Sequence, residues 1–566
     1  MDKTSPPQAQ APASPPITEE HAKKIDKKSW KLLVYIAADN NLSEECVFSL
    51  MDIQRSISTK EVICIAQLDP KAEGVGTIRY ILEKPAESKP KSEEASAFAK
   101  SKVKSEEALS DESKLEKAEV KILDDLVLND SHDETAFAAS VGTGKVEQLP
   151  ILENSADRRT LENFLTFGIQ HPEHQARHHL VVLSGHGNGA IGDFLMDENP
   201  RSALGITDLS TALHRVKQNC QDRLSKGGVI DILGMDSCLM SMIEVCCELS
   251  GSVGILIGSE GFMLNAGWPY GNIIQLIERR PSISATELAQ KIVETHIDYY
   301  SNYLPAGISV DLSACNLEPS KIIKLNEKVK NLVDSLLTVK VENKSRRLKE
   351  SLTDAIILAH WRAQSYKFEL YTDLYDFCEE LIKAFERLHH SKDIGKAHAA
   401  CWELREAIRD VVLKSGYCGV EFQYSHGLSV YFPWTKSETR TIIQYQNLAF
   451  AKATGWGEFL YAYVRDTQRP VRDRQAIDEL WPPIPAGSSS PVIAGGEVRT
   501  NPELGYPRTN PELGYPRTNP ELGYPRTNPE LGYPRGKVLI VSKVKNSPTQ
   551  VRKGPQDGTP KPPKSE

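Results

Sequence analysis

The stretch ILGMDSCLMSMIEV, Ile232 to Val245, decides the reading of this chain. Apolar and small residues lead into Asp-Ser-Cys, and Leu239, Met242, Ile243 and Cys246 then fall at helical spacing. The stretch therefore predicts a buried strand that turns into a helix, with Cys238 opening the helix. A cysteine there meets unsatisfied backbone N–H groups and the positive end of the helix dipole, both of which favour thiolate.

The same alternation runs outward in both directions. KLLVYIAA (31–38), EVICIAQL (61–68), TIRYIL (77–82), HLVVLSG (179–185), GVIDILGM and VGILIGS (253–259) read as strands. Helical spacing fills 42–57 after the turn-like Asp39-Asn40-Asn41, and also 156–170 and about 207–218. Buried-strand runs alternating with helices predict an α/β fold, a mostly parallel central sheet with helices on both faces. From about Ser284 to Val464 the pattern is largely helical, broken by AGISVDLS (306–313) and GLSVYFP (427–433).

Composition sets the borders. The chain has 566 residues, 40% hydrophobic, enough for a substantial core between Pro- and Gly-rich ends. Residues 1–29 and 466–566 are expected to be disordered, as is a Lys/Glu/Ser/Ala-rich insertion at 84–148 within a folded region of 30–465. The tail carries four identical copies of RTNPELGYP at 499–534, whose paired prolines and lack of Asp predict a flexible extended tract, not a calcium-binding roll.

A net charge of −8 gives no general attraction to nucleic acid. No stretch approaches the roughly 20 apolar residues of a membrane span, and no signal peptide is visible, so a cytoplasmic protein is expected. Ten cysteines without C-x-x-C or Cys/His spacing predict reduced thiols and no metal.

In parallel sheets ligands bind at the carboxyl ends of strands, where His186 and Cys238 both fall. A thiolate nucleophile needs a base in hydrogen-bond reach and N–H donors aimed at the oxyanion, and the glycines around His186 let backbone approach a substrate carbonyl. A tight turn and a structural cysteine would explain the same residues.

LVVLSGHGNG followed by DILGMDSCLMSMIEV resembles the His-Gly and Asp-x-Cys signatures of the clostripain family of cysteine peptidases, which share a caspase-like α/β fold. WKLLVYIAADNNL, SADRRTLENFL, GSEGFMLNAGWPY, GLSVYFP and TGWGEFLYAYV, in this order along 30–465, also resemble stretches of that family. The resemblance implies Cys238 as nucleophile, His186 as general base, Gly187 and Cys238 as oxyanion donors, and hydrolysis through a thioester. It implies no cofactor in the chemistry; calcium, needed for activation in some relatives, is not assignable to residues here.

Asp236 precedes the cysteine by two, so its carboxylate is expected beside the nucleophile, where it selects Arg or Lys as the family prefers. The other reading of Asp236 is a helix cap at Cys238. Relatives are commonly cut between the histidine strand and the next helix; the loop 196–205 offers Arg201, so autoprocessing at Arg201-Ser202 is expected. The chain departs from the family at Ser259-Glu260-Gly261, where Ser-Glu-Glu is usual. The expected partners are protein or peptide substrates with Arg or Lys at the cut. The competing reading is an idle caspase-like scaffold recruiting partners through insertion and tail.

Overall fold

The computed structural model describes residues 27–467 except 59, 72–75, 83–143, 149–153, 226, 305–306, 343–344, 368 and 389–390. The expected disorder of the N-terminal segment, most of the insertion and the repeat tail lies outside the described residues.

Five parallel strands form the centre: β1 (Lys28–Ala38), β2 (Val62–Pro70), β5 (Ala176–Ser184), β8 (Ile230–Asp236) and β9 (Val253–Gly258). Antiparallel strands extend both sides: β3 (Ile78–Leu82) and β4 (Gly144–Gln148) beyond β2, β10 (Val310–Asn316) and β13 (Val412–Cys418) beyond β9. The sheet order is β13-β10-β9-β8-β5-β1-β2-β3-β4. The last five residues of the expected insertion thus belong to the sheet as β4, because β3 offers them an unpaired edge.

Burial explains the strand sequences. Every residue of β2 and β8 is buried, as both faces of the sheet are covered and alternation would leave polar groups in the core. Helices α1 (Ser43–Ser56), α5 (Tyr270–Arg279) and α6 (Ala285–Ser301) pack together, as do α2 (Arg158–Gln170), α3 (Ile206–Asn219) and α4 (Ile243–Leu249). Lys31 is the exception inside β1: its fully buried Nζ donates to the Gly168 carbonyl at 2.6 Å, where the last turn of α2 has carbonyls to spare. Burial pushes its pKa down to about 8.

The C-terminal region is largely helical, as expected: α7 (Pro319–Leu337), α8 (Arg346–Arg362), α9 (Leu374–Glu386), α10 (Lys392–Val411), α11 (Thr439–Asn447), α12 (Ala449–Thr454) and α13 (Trp456–Thr467). It shares one hydrophobic core with the sheet. Of the two strands expected there, β10 joins the main sheet, whereas β14 (Ser429–Tyr431) forms a separate sheet with β11 (Ser365–Tyr366) and β12 (Tyr371–Asp373). Buried Glu244 of α4 locks this region down by accepting the Tyr431 N–H at 2.9 Å and the Tyr445 hydroxyl at 3.0 Å.

Trp268 lies flat enough on β8 that a Cβ at Gly234 would sit 2.5 Å from its ring. The ring is enclosed, so Gly234→Ala is expected to destabilise the protein by about 1–3 kcal/mol in urea unfolding; an unchanged midpoint would place Trp268 elsewhere.

Candidate active site

The pairing of β5 with β8 builds the site. Leu180 lies beside Ile232 and Ser184 beside Asp236, a constant offset of 52 residues. His186 and Cys238 differ by that same 52, each two residues past its strand partner, so the register carries both to the same end of neighbouring strands. Their backbones touch: a Cβ at Gly187 would overlap the Cys238 carbonyl oxygen and stand 3.0 Å from the Cys238 nitrogen. Only glycine permits that approach.

Cys238 does not open a helix. The helix α4 begins at Ile243, behind an irregular loop in which Leu239 has φ of 64°. Ser241 and Met242 are held extended instead: the Ser241 N–H donates to Ser259 O at 2.9 Å, the Ser429 N–H donates to Ser241 O at 3.0 Å, and Met242 bridges Ser429. These pairings outcompete helix nucleation, so the helix dipole does not reach the sulfur. A backbone donor does: the Met263 N–H lies 3.1 Å from Cys238 Sγ.

The segment behind the cysteine is fixed from below. The N–H groups of Glu260 and Gly261 donate to Asp311 at 2.7 and 3.0 Å, and the Glu260 carboxylate accepts the Gly427 N–H at 2.6 Å. Burial, then the charges of Asp373 and Asp311, hold the Glu260 carboxyl well above its usual range. Burial likewise pushes Asp311 up to about 7. The Ser-Glu-Gly departure therefore sits in a buried anchor of the cysteine loop.

On the histidine side, His186 Nε2 lies 2.7 Å from Asn41 Oδ1. Asn41 follows β1 in the stretch read only as a turn, and Asn40 beside it makes that turn, accepting the Leu42 N–H at 2.9 Å. Residue type gave no separate sign that Asn41 faces the histidine. An acceptor there fixes the imidazole's tautomer and orientation.

Asp236 is fully buried at the end of β8. Its Oδ2 accepts the Tyr270 hydroxyl at 2.9 Å and the Ser184 hydroxyl at 3.2 Å. It caps no helix, since α4 is preceded by Met242 without a side-chain cap. Tyr270, at the start of α5, escaped the sequence reading.

Arg201 and Ser202 are not in a loop. They begin β7 (Arg201–Leu204), which pairs with β6 (Phe194–Glu198) as a hairpin, Arg201 opposite Glu198. Ser202 Oγ exchanges hydrogen bonds with the Asn154 amide at 2.8 and 3.0 Å. The apolar run Phe194-Leu195-Met196 and the four residues of β7 are too short to separate from a loop in sequence. The hairpin is tied to the histidine, the Leu195 N–H donating to His186 O at 3.0 Å.

Both candidate reacting groups are closed off, Cys238 being 0% and His186 2% exposed. Among the described residues, no group of three or more His, Cys, Asp or Glu is placed to hold a metal ion, and no helix is long and apolar enough to cross a membrane. All ten cysteines are free thiols.

The family model of the clostripain family matches residues 34–463. The chain belongs to that family. It is a cysteine peptidase with an α/β fold, acting on protein or peptide substrates. It is similar to a secreted C11 cysteine protease from Bacteroides thetaiotaomicron solved with an irreversible peptide inhibitor, at 17% identity and a TM-score of 0.49 over 76% of this chain and 99% of that one. It is also similar to an inactive zymogen C11 protease from Parabacteroides distasonis, at 16% identity and a TM-score of 0.46 over 76% and 98% of the respective chains. No curated protein sequence matches the chain.

If Asn41 orients the histidine, Asn41→Ala lowers kcat by about 10²-fold, the order a small misplacement costs, with KM little changed. Steady-state kinetics check this; an unaltered kcat would leave Asn41 a turn residue only.

Proposed function

We propose that this peptidase cleaves peptide bonds after Arg or Lys, with Cys238 as nucleophile and His186 as general acid–base. The observation that carries the reading is the β5–β8 register, which juxtaposes the two residues with a buried carboxylate, Asp236, two residues before Cys238.

In this mechanism the Cys238 thiolate attacks the scissile carbonyl, and the oxyanion is met by the N–H groups of Gly187 and Cys238, whose backbones adjoin. His186 delivers its proton to the departing amine, leaving a thioester on Cys238. A water deprotonated by His186 then hydrolyses the thioester and regenerates the thiol. Asn41 holds the ring through both proton transfers.

Asp236 gives the pocket its sign. A guanidinium or ammonium reaching it exchanges water for a buried carboxylate already positioned by Tyr270 and Ser184, while an acidic side chain is repelled. On fluorogenic peptides ending in Arg, Lys, Asp or Leu, wild type is expected to prefer Arg or Lys by at least about 10²-fold. Cys238→Ala abolishes all cleavage, and Asp236→Ala removes most of the basic preference without unfolding. Equal cleavage of Arg peptides by the Asp236 variant would remove that residue from the pocket.

The closed state of Cys238 and His186 supports an opening step, and the hairpin supplies one. Scission after exposed Arg201 frees β6, whose Leu195 N–H is bound to the His186 carbonyl. Mass spectrometry is expected to find the Arg201-Ser202 cut in wild type and an intact chain in Cys238→Ala. A fully active uncut enzyme would contradict processing.

A further inference from the structure

Lys367 occupies the turn between β11 and β12 with φ of 49°, a left-handed backbone that a lysine rarely adopts. Its side chain is only 2% exposed. Nζ donates to the Asn188 carbonyl at 2.8 Å and to the Tyr371 hydroxyl at 3.2 Å, and that hydroxyl donates to the same carbonyl at 2.6 Å. Tyr371 packs so tightly on Gly189 that a Cβ there would overlap its phenol. Asn188 in turn follows Gly187, the residue pressed on the Cys238 backbone. A buried ammonium is thus clamped to the histidine loop beside its contact with the cysteine.

We propose that Lys367 is a positioning residue of the peptidase, its ammonium on the Asn188 carbonyl favouring the thiolate form of Cys238. The inference rests on reading Cys238 as the nucleophile. It also resolves a difficulty in the site: the helix dipole that would ordinarily stabilise such a thiolate starts too far along the chain, at Ile243. A fixed positive charge in a low-dielectric surrounding serves the same purpose.

The influence is mutual. Burial pushes Lys367 down to about 7, while Asp193, ahead of β6, and Cys238, after β8, act in the opposite direction. The phenol of Tyr371 on β12 also meets the ammonium, accepting its hydrogen bond at 3.2 Å. Below neutral pH the lysine is charged and supports the thiolate; as pH rises past neutral it loses its proton and that support fades.

The test is the pH dependence of Cys238 alkylation by iodoacetamide, followed by mass spectrometry of the Cys238 peptide. It compares wild type with Lys367→Met, Lys367→Gln and Lys367→Arg. Met and Gln are expected to shift the profile upward by about one pH unit, a roughly tenfold loss of labelling rate at neutral pH, and Arg to keep it near wild type. Gln retains a donor for the Asn188 carbonyl but no charge, so a merely structural lysine would leave its profile on that of wild type. That superposition, with Gln folded by circular dichroism, would overturn the inference, as would an upward shift in Arg equal to that in Gln. In protein already cut after Arg201, a wild-type Cys238 that never labels at any pH would instead overturn the nucleophile reading itself.

Discussion

The structure depends on one pairing, the parallel ladder between β5 and β8. Its constant offset of 52 residues converts a sequence separation that means nothing alone into a spatial coincidence. Because parallel strands advance together, residues equally far past the ladder emerge side by side. His186 and Cys238 are both two residues beyond, and Gly187 lets the two loops close to backbone contact. A one-residue slip would turn every buried side chain of β8 to the opposite face, so the core that fixes the register also fixes the site.

Around that pairing the rest of the molecule works as scaffolding for two loops. The cysteine loop is held by β9 and the segment after it, through Ser259 and Met263, and from the C-terminal region through Ser429. The buried carboxyls of Glu260 and Asp311 stand beneath it. The histidine loop is held by Asn41 from β1, by Leu195 from the hairpin, and by Tyr371 and Lys367 from the small sheet. The C-terminal region, which sequence patterning reads as a helical extension, shares a core with the sheet, and its small three-stranded sheet delivers contacts to both loops.

The legible part of the fold was the part governed by burial. β1, β2, β5, β8 and β9 each carry a buried apolar stretch, as strands covered on both faces do. β13 was hidden because VLKSGYC lies half-exposed along the sheet edge, without apolar continuity, directly after a long helix. The start of α4 was misplaced for a different reason: Leu239, Met240 and Met242 are buried in an irregular loop, and buried apolar residues look alike whether helical or not. His186, Cys238 and Asp236 were legible as candidates through motif and resemblance. Asn41, Tyr270 and Lys367 were not, because their roles come from contacts across 145, 34 and 179 residues of chain, which no local pattern encodes.

In the proposed function Cys238 is a nucleophile served by a pocket for basic side chains. Covalent trapping tests it most directly: the protein is treated with peptidyl chloromethyl ketones identical except for a terminal Arg or Asp, and the adduct is located by mass spectrometry. Rapid, stoichiometric modification of Cys238 is expected with the Arg reagent, and little with the Asp reagent. Modification of a different cysteine, or equal labelling by both reagents, would contradict it.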